Sequence, residues 1–262
     1  MKSHLSLFHR FEGGAPVQFH EVQLAGERLW RTSGAALTWG EQSETAFASS
    51  EAALAAWHAA CAQLQAEGWT LVRENVVDTS QFDYALLQTL LQAAVRQALQ
   101  AMRCAHRQAI NAFALMTDDD AMTISAMANS AEALAQTVAD YGSDGDAVSD
   151  DEIMWSPAEW AYGEGAHDGG AFFDSAYRLL LQAHRGPPFE ADFATHRAAV
   201  FETCIAALEQ LDREGCFGSG AEREQFVLLF EASDSDEVEG AMARLNSVTV
   251  QGRWQAWVAA CE

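Results

Sequence analysis

The feature that most restricts the fold of this chain is a change of hydrophobic period within residues 1–75. Between Val17 and Leu24, apolar side chains recur at about every second position, which is typical of a strand with one buried face. Between Leu54 and Leu64 the spacing becomes three and four, which is typical of a helix, and the following segment GWTLVRE is again strand-like. A small antiparallel sheet with one packed helix is therefore predicted.

Residues 82–262 have the pattern of a larger mixed α/β domain. The segment Asn75–Gln81, NVVDTSQ, marks the predicted boundary between the two domains. A long helix is predicted first, followed by two strand-like runs, INAFALMT and AMTISAM. Two amphipathic helices, Phe172–His184 and Asp192–Glu214, and a buried strand, EQFVLLFEA, come later. The predicted fold class is therefore α+β, with several amphipathic helices around the second sheet.

Three local patterns give predictions that depend on single residues. The pieces Leu37–Gly40 and Thr45–Ala48 are predicted to be extended. Asn129 is predicted to cap a helix that begins at SAEALAQ. Ser156–Glu159 combines a capping serine, a proline at the first helical position and a glutamate three residues on, which predicts the start of a short helix in WSPAEWAY.

Charge excludes several classes of partner. The 262 residues include 15 Lys and Arg against 38 Asp and Glu, a formal net charge of -23, and residues 76–262 hold ten of the bases and thirty of the acids. Such a chain repels polyanions, so no nucleic-acid partner is expected. The five scattered cysteines predict reduced thiols. With no apolar run long enough to cross a bilayer, we expect a cytoplasmic protein that does not enter the membrane.

Three acidic stretches are the candidate partner-binding surfaces. Asp118–Asp120 lies between two predicted strands and is interpreted as a turn rather than a metal site, because adjacent carboxylates cannot all converge on one ion. Asp144–Glu152 lacks the spacing of a calcium loop and is predicted to be a solvated acidic loop. Residues 140–159 carry seven acids and no base, which makes them the first choice for contact with a basic partner. The candidate partner-binding residues are Asp118, Asp119, Asp120, Asp144, Asp146, Asp150, Asp151, Glu152, Asp234, Asp236 and Glu237.

No catalytic, cofactor-binding or metal-ligating residue is predicted. The glycine-rich segment 163–170, GEGAHDGG, lacks the lysine of a phosphate-binding loop and is predicted to be a flexible connection. Cysteine and histidine spacings do not match zinc sites. His167-Asp168 and Glu159 are the alternative acid–base groups, but no nucleophile stands in a recognisable context beside the first pair. Residues predicted to belong to the core rather than to an aromatic binding ledge are Trp155, Trp160 and Tyr162.

Residues of about 15–75 resemble a diverged WGR domain, the module named for its Trp-Gly-Arg sequence. The resemblance rests on FHEVQL, the Trp39-Gly40 pair, the helix and the closing GWTLV. In that family the arginine and the glycines after it support contact with DNA ends or with a partner domain. Here Glu41, Ser43 and Glu44 stand in that run. This departure from the family pattern has two interpretations: neutral drift on a retained fold, or conversion of the module to protein binding. A carboxylate repels phosphate, so DNA binding through this face is not expected in either case.

The remainder of the chain resembles a bacterial family named domain of unknown function 4303. The residues that carry this resemblance are FALMTDDDAMTISAMANSAEAL, WSPAEWAY, GCFGSGAEREQFVLLFEASDSDE and Leu245-Asn246. Such families are similar to neighbours of polymorphic toxin genes, and the resemblance therefore implies an immunity role.

The leading functional hypothesis is a cytosolic binding protein, an immunity factor that occupies the basic active site of a cognate toxin. The expected partner is that toxin or another basic protein, with no cofactor and no enzymatic activity. Two alternatives stay open. One is a hydrolase or transferase with a carboxylate-lined pocket that includes Glu159 or Asp168. The other is a nucleic-acid-sensing first domain that the acidic domain regulates.

Overall fold

The structure is a computed structural model, and its secondary structure confirms the predicted α+β class. It describes residues 2–78, 82–107, 109–144, 148–163, 170–184, 193–233 and 239–261. Two compact units are present. The first unit comprises Met1–Asp83 and Tyr177–Phe193, and the second comprises Tyr84–Ala176 and Ala194–Glu262. The predicted domain limits, 1–75 and 82–262, stay a prediction.

The first unit contains a five-stranded antiparallel sheet with strand order β4-β3-β2-β1-β5 and one helix that packs on it. Its elements are β1 (Lys2–Glu12), β2 (Ala15–Ala25), β3 (Arg28–Ala35), β4 (Glu41–Ala46), α1 (Ser50–Ala66) and β5 (Thr70–Asp78). Ser49 caps α1 by accepting a hydrogen bond from the Ala52 N–H at 3.2 Å.

Apolar burial holds α1 against one face of this sheet. Trp57 and Leu64 belong to one core cluster with Phe8, Val22 and Leu24 of the sheet. The Trp57 Nε1–H donates to the Val22 carbonyl oxygen at 3.3 Å, so the buried indole keeps its polar group satisfied. The apolar residues that the sequence places on one face of the helix are therefore the residues that contact the sheet.

Two predictions about the first unit need correction. Strand β1 is not predicted, because the alternating pattern begins only at Val17, yet β1 is an inner strand that pairs with both β2 and β5. The predicted extended piece Leu37–Gly40 is wrong, because Leu37 and Gly40 have φ values of 60° and 68°. Both values lie in the left-handed region, so the chain turns here between β3 and β4.

The second unit surrounds a three-stranded sheet of order β7-β6-β8, in which β6 and β7 are antiparallel and β6 and β8 are parallel. Helix α5 begins in this unit and belongs to the first unit from Tyr177 onward. The elements are α2 (Tyr84–Ala105), β6 (Ile110–Thr117), β7 (Ser125–Ser130), α3 (Ala131–Asp144), α4 (Asp150–Met154), α5 (Asp174–His184), α6 (Phe193–Arg213), α7 (Gly220–Gln225), β8 (Val227–Ala232), α8 (Glu239–Leu245) and α9 (Val248–Cys261), with 3-10 turns at Pro157–Glu159 and Gly170–Phe173.

Alternation along the strands gives this sheet two different faces. On one face, Phe230 of β8 packs on Phe201 of α6 with ring centroids 5.5 Å apart. The opposite face belongs to a separate core cluster that includes Ala112, Ala114 and Val227. The aromatic residues of WSPAEWAY close that cluster, since Trp155 and Trp160 are members of it and Tyr162 is also buried.

Capping differs from the sequence-based predictions. Ser130, not Asn129, accepts the hydrogen bond from Ala133 N–H at the start of α3, at 3.1 Å. Ser156 makes no side-chain capping bond, and only a 3-10 turn follows it. A capping box is present instead at Ser149 and Glu152, so Asp150–Glu152 form the first turn of α4 rather than a solvated loop.

None of the described helices has the length and the apolar composition needed to span a membrane.

Candidate functional site

Two of the acidic stretches come directly after parallel strands of the second sheet, β6 and β8. Strands β6 and β8 are parallel, so their carboxyl ends lie together, and the pair Thr117↔Ala232 closes the ladder. Asp118–Asp120 follows β6, and the segment that contains Asp234, Asp236 and Glu237 follows Ser233, whose N–H donates to the Thr117 carbonyl at 3.0 Å. Those three residues, like Asp146, His167 and Asp168, lie outside the described part of the chain.

The three aspartates after β6 have different environments. Asp118 accepts hydrogen bonds from the Met122 and Thr123 N–H groups at 2.8 and 3.0 Å, so its carboxylate shapes the turn. Asp119 pairs with Arg197 of α6 at 2.7 Å. Asp120 is exposed and makes no hydrogen bond or ion pair with any described residue. Asp120 is therefore the member of this stretch whose charge remains available to a partner.

A second acidic surface lies on α3, α4 and the Pro157–Glu159 turn. Asp140 accepts from the Gln136 amide at 2.7 Å, and Glu159 accepts from the Tyr141 hydroxyl at 2.6 Å. Asp150 is exposed, while Asp151 lies 3.7 Å from Arg253. Asp144 is the last residue of α3.

Glu152 has a local structural role in this surface. The Ser149 N–H donates to the Glu152 carboxylate at 2.6 Å, and the Ser149 hydroxyl donates to it at 3.0 Å. These hydrogen bonds lower the pKa of Glu152, so the carboxylate stays charged at neutral pH while it caps α4. The side chain is exposed, and its charge adds to that of Asp150.

Arginine side chains of the second unit are largely occupied by carboxylates of the same unit. Arg244 donates to both Glu202 and Glu209, with its shortest contact at 2.6 Å. Further ion pairs within this unit are Arg96–Glu214, Arg197–Asp119, Arg223–Asp212 and Arg253–Asp151. Because acids outnumber bases, exposed carboxylates such as Asp120, Asp150, Glu222 and Glu224 have no cation of their own among the described residues.

Glu231 is a residue that the sequence analysis missed. It lies near the carboxyl end of β8, is partly buried, and pairs in register with Met116 of β6. Burial raises the pKa of its carboxyl above the ordinary value. The sequence signal was present in VLLFEA, where a glutamate occupies a position in phase with Val227 and Leu229.

In the first unit, the Trp39–Gly40 turn is held by a cation from a distant part of the sequence. Arg178 of α5 is 1% exposed, and its guanidinium carbon lies 3.4 Å from the centroid of the Phe19 ring. Its Nη1 donates to the Trp39 carbonyl oxygen at 3.3 Å. Trp39 itself is 52% exposed, with its ring edge-on to Tyr177 at 6.5 Å. The turn therefore has an arginine beside it although position 41 is glutamate.

The carboxylates that follow this turn are partly used within the sheet. Glu44 accepts from Arg28 at 2.8 Å and from the Trp30 indole N–H at 3.1 Å. Trp30 and Glu44 are register partners on β3 and β4, so the contact ties the edge strand to its neighbour. Glu41 is exposed.

Three observations concern groups that could bind a metal ion or transfer a proton. Among them, no group of three or more histidine, cysteine, aspartate or glutamate side chains is placed to hold a metal ion. Glu159 is exposed and bonded to Tyr141. A partly buried pair joins α2 to α6, with the Tyr84 hydroxyl 2.9 Å from Nδ1 of the buried His196, and burial raises the pKa of Tyr84.

Comparison with known proteins places most of the second unit in a family. A search of curated proteins found no match. A crystal structure of a Bacteroides fragilis protein is 19% identical over 28% of this chain, with a TM-score of 0.25. The match spans 20% of that protein's length, and nothing about fold or function follows from it. The family model described as Domain of unknown function matches residues 90–247. Since that is more than half of the 262 residues, the chain belongs to the DUF4303 family.

Proposed function

We propose that this protein is an acidic protein-binding protein, an immunity factor that occupies the basic active site of a cognate toxin. The observation that carries the proposal is the use of arginines in the second unit. Arg96, Arg197, Arg223, Arg244 and Arg253 each face carboxylates of the same unit. The remaining exposed carboxylates give the unit a surplus of negative charge that an external basic surface could neutralise.

Electrostatics supports the proposal through association rate. A toxin that acts on nucleic acid or nucleotides needs a cationic cleft, and an acidic protein can imitate the charge of its substrate. Long-range attraction then accelerates the encounter at low salt, whereas apolar contacts slow dissociation. The surface on α3 and α4 is the first choice for this contact, because Asp140, Asp150 and Glu152 are exposed there.

We further propose that the first unit is a WGR-like module converted to protein binding. Trp39 is half-exposed and Gly40 adopts the turn that follows it. Arg178 is buried beneath this turn, so its cation is not presented to a phosphate. Glu41 is exposed where an arginine stands in the WGR family. These features favour a partner that contacts an aromatic side chain and carboxylates.

The test is co-expression with the product of the adjacent gene. We expect the two proteins to co-purify and the acidic protein to restore growth of cells that make the other one. Failure of both complex formation and protection would refute the immunity role.

A charge variant tests which surface steers the encounter. Asp140→Asn together with Asp150→Asn removes two exposed charges from α3 and α4, and we expect the association rate to fall about fivefold at low salt. The matched control is Glu222→Gln with Glu224→Gln, two exposed charges on α7. Stopped-flow binding measurements at several salt concentrations compare the two variants. Equal effects of both would mean that general charge, not this surface, steers association.

A further inference from the structure

Glu231 occupies a position where the strand pattern would place an apolar residue. Val227, Leu229 and Glu231 alternate along β8 on the face of the sheet that carries the cluster of Ala112 and Ala114. Their register partners on β6 are Ala112, Ala114 and Met116. Glu231 therefore extends an apolar row by one residue toward the carboxyl edge of the sheet.

The carboxyl group of Glu231 has no internal partner within the described chain. No hydrogen bond or ion pair with a described residue satisfies it, and its side chain is partly buried. Helix α8 packs on β8 and contains one arginine, Arg244, which donates to Glu202 and Glu209 instead. An ionised carboxylate that is partly desolvated and unpaired destabilises the folded state. Residues that serve binding commonly lower stability in this way.

Two apolar side chains next to Glu231, those of Met116 and Leu229, form a small surface that remains accessible to water. Met116 and Leu229 both pack against the cluster but remain partly exposed. On the far side of β6, Ser125 of β7 is the register partner of Met116 and is exposed. A lysine or arginine side chain has an apolar stem and a cationic end. The apolar surface is complementary to the stem, and the Glu231 carboxylate is complementary to the cation.

We propose that Glu231, Met116 and Leu229 form a receptor for one basic side chain of a protein partner. The stem of the incoming lysine or arginine lies along Met116 and Leu229, and its cation meets the Glu231 carboxylate. This inference rests on the proposed function and names an anchor for the basic partner. A second copy of this chain is a poor occupant, because two molecules of formal net charge -23 repel each other.

The Glu231 receptor and the exposed carboxylates contribute differently to binding, because they differ in hydration and in screening by salt. Exposed carboxylates are hydrated and screened by salt, so each adds little affinity. A carboxylate that is already partly desolvated loses less hydration when a cation binds, and the ion pair is then screened less. We therefore assign the exposed acids to steering and Glu231 to holding the partner.

The experiment uses n-butylammonium, which copies the stem and charge of lysine, with n-pentanol as the neutral control. Methyl signals of Met116 and Leu229 are followed by NMR in the full chain during titration. We expect a saturable shift with n-butylammonium and none of comparable size with n-pentanol. Glu231→Gln should weaken binding about tenfold or more, whereas Glu224→Gln, an exposed acid on α7, should leave it unchanged.

A stability measurement separates this role from a structural one. Because the folded-state pKa of Glu231 is raised, its ionised form lowers stability at pH values above that pKa. Glu231→Gln should therefore raise the melting temperature at pH 7, and the gain should shrink as the pH falls toward 4.5, the ordinary value. Glu231→Asp keeps the charge and should retain part of the binding.

Three results would overturn the receptor. They are binding of n-butylammonium unchanged by Glu231→Gln, an equal response to n-pentanol, and a lower melting temperature for Glu231→Gln at pH 7. The outcome is separable from that of the proposed function, because no toxin is present in these measurements. Protection of cells without a receptor would refute this inference alone, whereas a receptor without protection would refute the immunity role.

Discussion

Gly40→Ala is expected to lower the free energy of unfolding of the first unit by about 3 kcal/mol. Gly40 has a φ of 68°, which a side chain with Cβ adopts only under strain. In addition, a Cβ at this position would lie 2.5 Å from Cζ of Phe19 and 2.8 Å from the carbonyl oxygen of Ser33. Phe19 is fully buried beneath Arg178, so its ring has little room to move away. Backbone strain and overlap therefore act together.

Gly26→Ala separates these two causes. Gly26 has a similar φ of 60°, but a Cβ there meets nothing within 4 Å. This variant should therefore show the strain alone, with a loss of about 1 kcal/mol. Urea unfolding followed by tryptophan fluorescence and by circular dichroism measures both variants. If the two glycines gave equal losses, the close packing of the Trp39–Gly40 turn on Phe19 would have to be rejected.

This turn also illustrates why part of the first unit was predictable and part was not. The spacing of Trp57 and Leu64 marks the face of α1 that meets the sheet, and the contact is local enough to appear in the sequence. Arg178 is 139 residues from Trp39, and no periodic pattern links the two positions. Membership of Tyr177–Phe193 in the first unit is a tertiary property that the helical pattern of α5 does not reveal.

The acidic residues show the same division between composition and contact. Their positions were visible in the sequence, and the turn at Asp118 followed from the known preference of aspartate for local backbone hydrogen bonds. Which carboxylates are neutralised was not visible, because Asp119–Arg197 and Asp212–Arg223 depend on helix packing. Glu152 lies in a stretch whose run of acids predicts a solvated loop, but the structure has a capping box at Ser149 and Glu152. The cap predicted at Ser156 is absent, and only a 3-10 turn forms there.

Asn246→Ala is expected to destabilise the second unit by about 3 kcal/mol, because it removes the partner of an edge strand. Strand β8 is at the edge of its sheet, and Leu228 has its backbone N–H and C=O satisfied by the Asn246 side chain. The N–H donates to Oδ1 at 2.9 Å, and Nδ2 donates to the carbonyl at 2.7 Å. Asn246 is buried, so alanine would leave two backbone groups without a partner away from bulk water.

Asn111→Ala is the matched control, since Asn111 lies on β6 of the same sheet, is partly exposed and makes no side-chain hydrogen bond with the described residues. Its loss should be within about 0.5 kcal/mol. Hydrogen exchange of the Leu228 amide provides a local readout: it should accelerate in Asn246→Ala and stay slow in Asn111→Ala. If Asn246→Ala lowered stability without faster exchange at Leu228, the loss would come from packing against Met242, which also accepts a hydrogen bond from Asn246, at 3.3 Å. An unchanged stability would show instead that water replaces the amide at this edge, and the clamp on β8 would have to be abandoned.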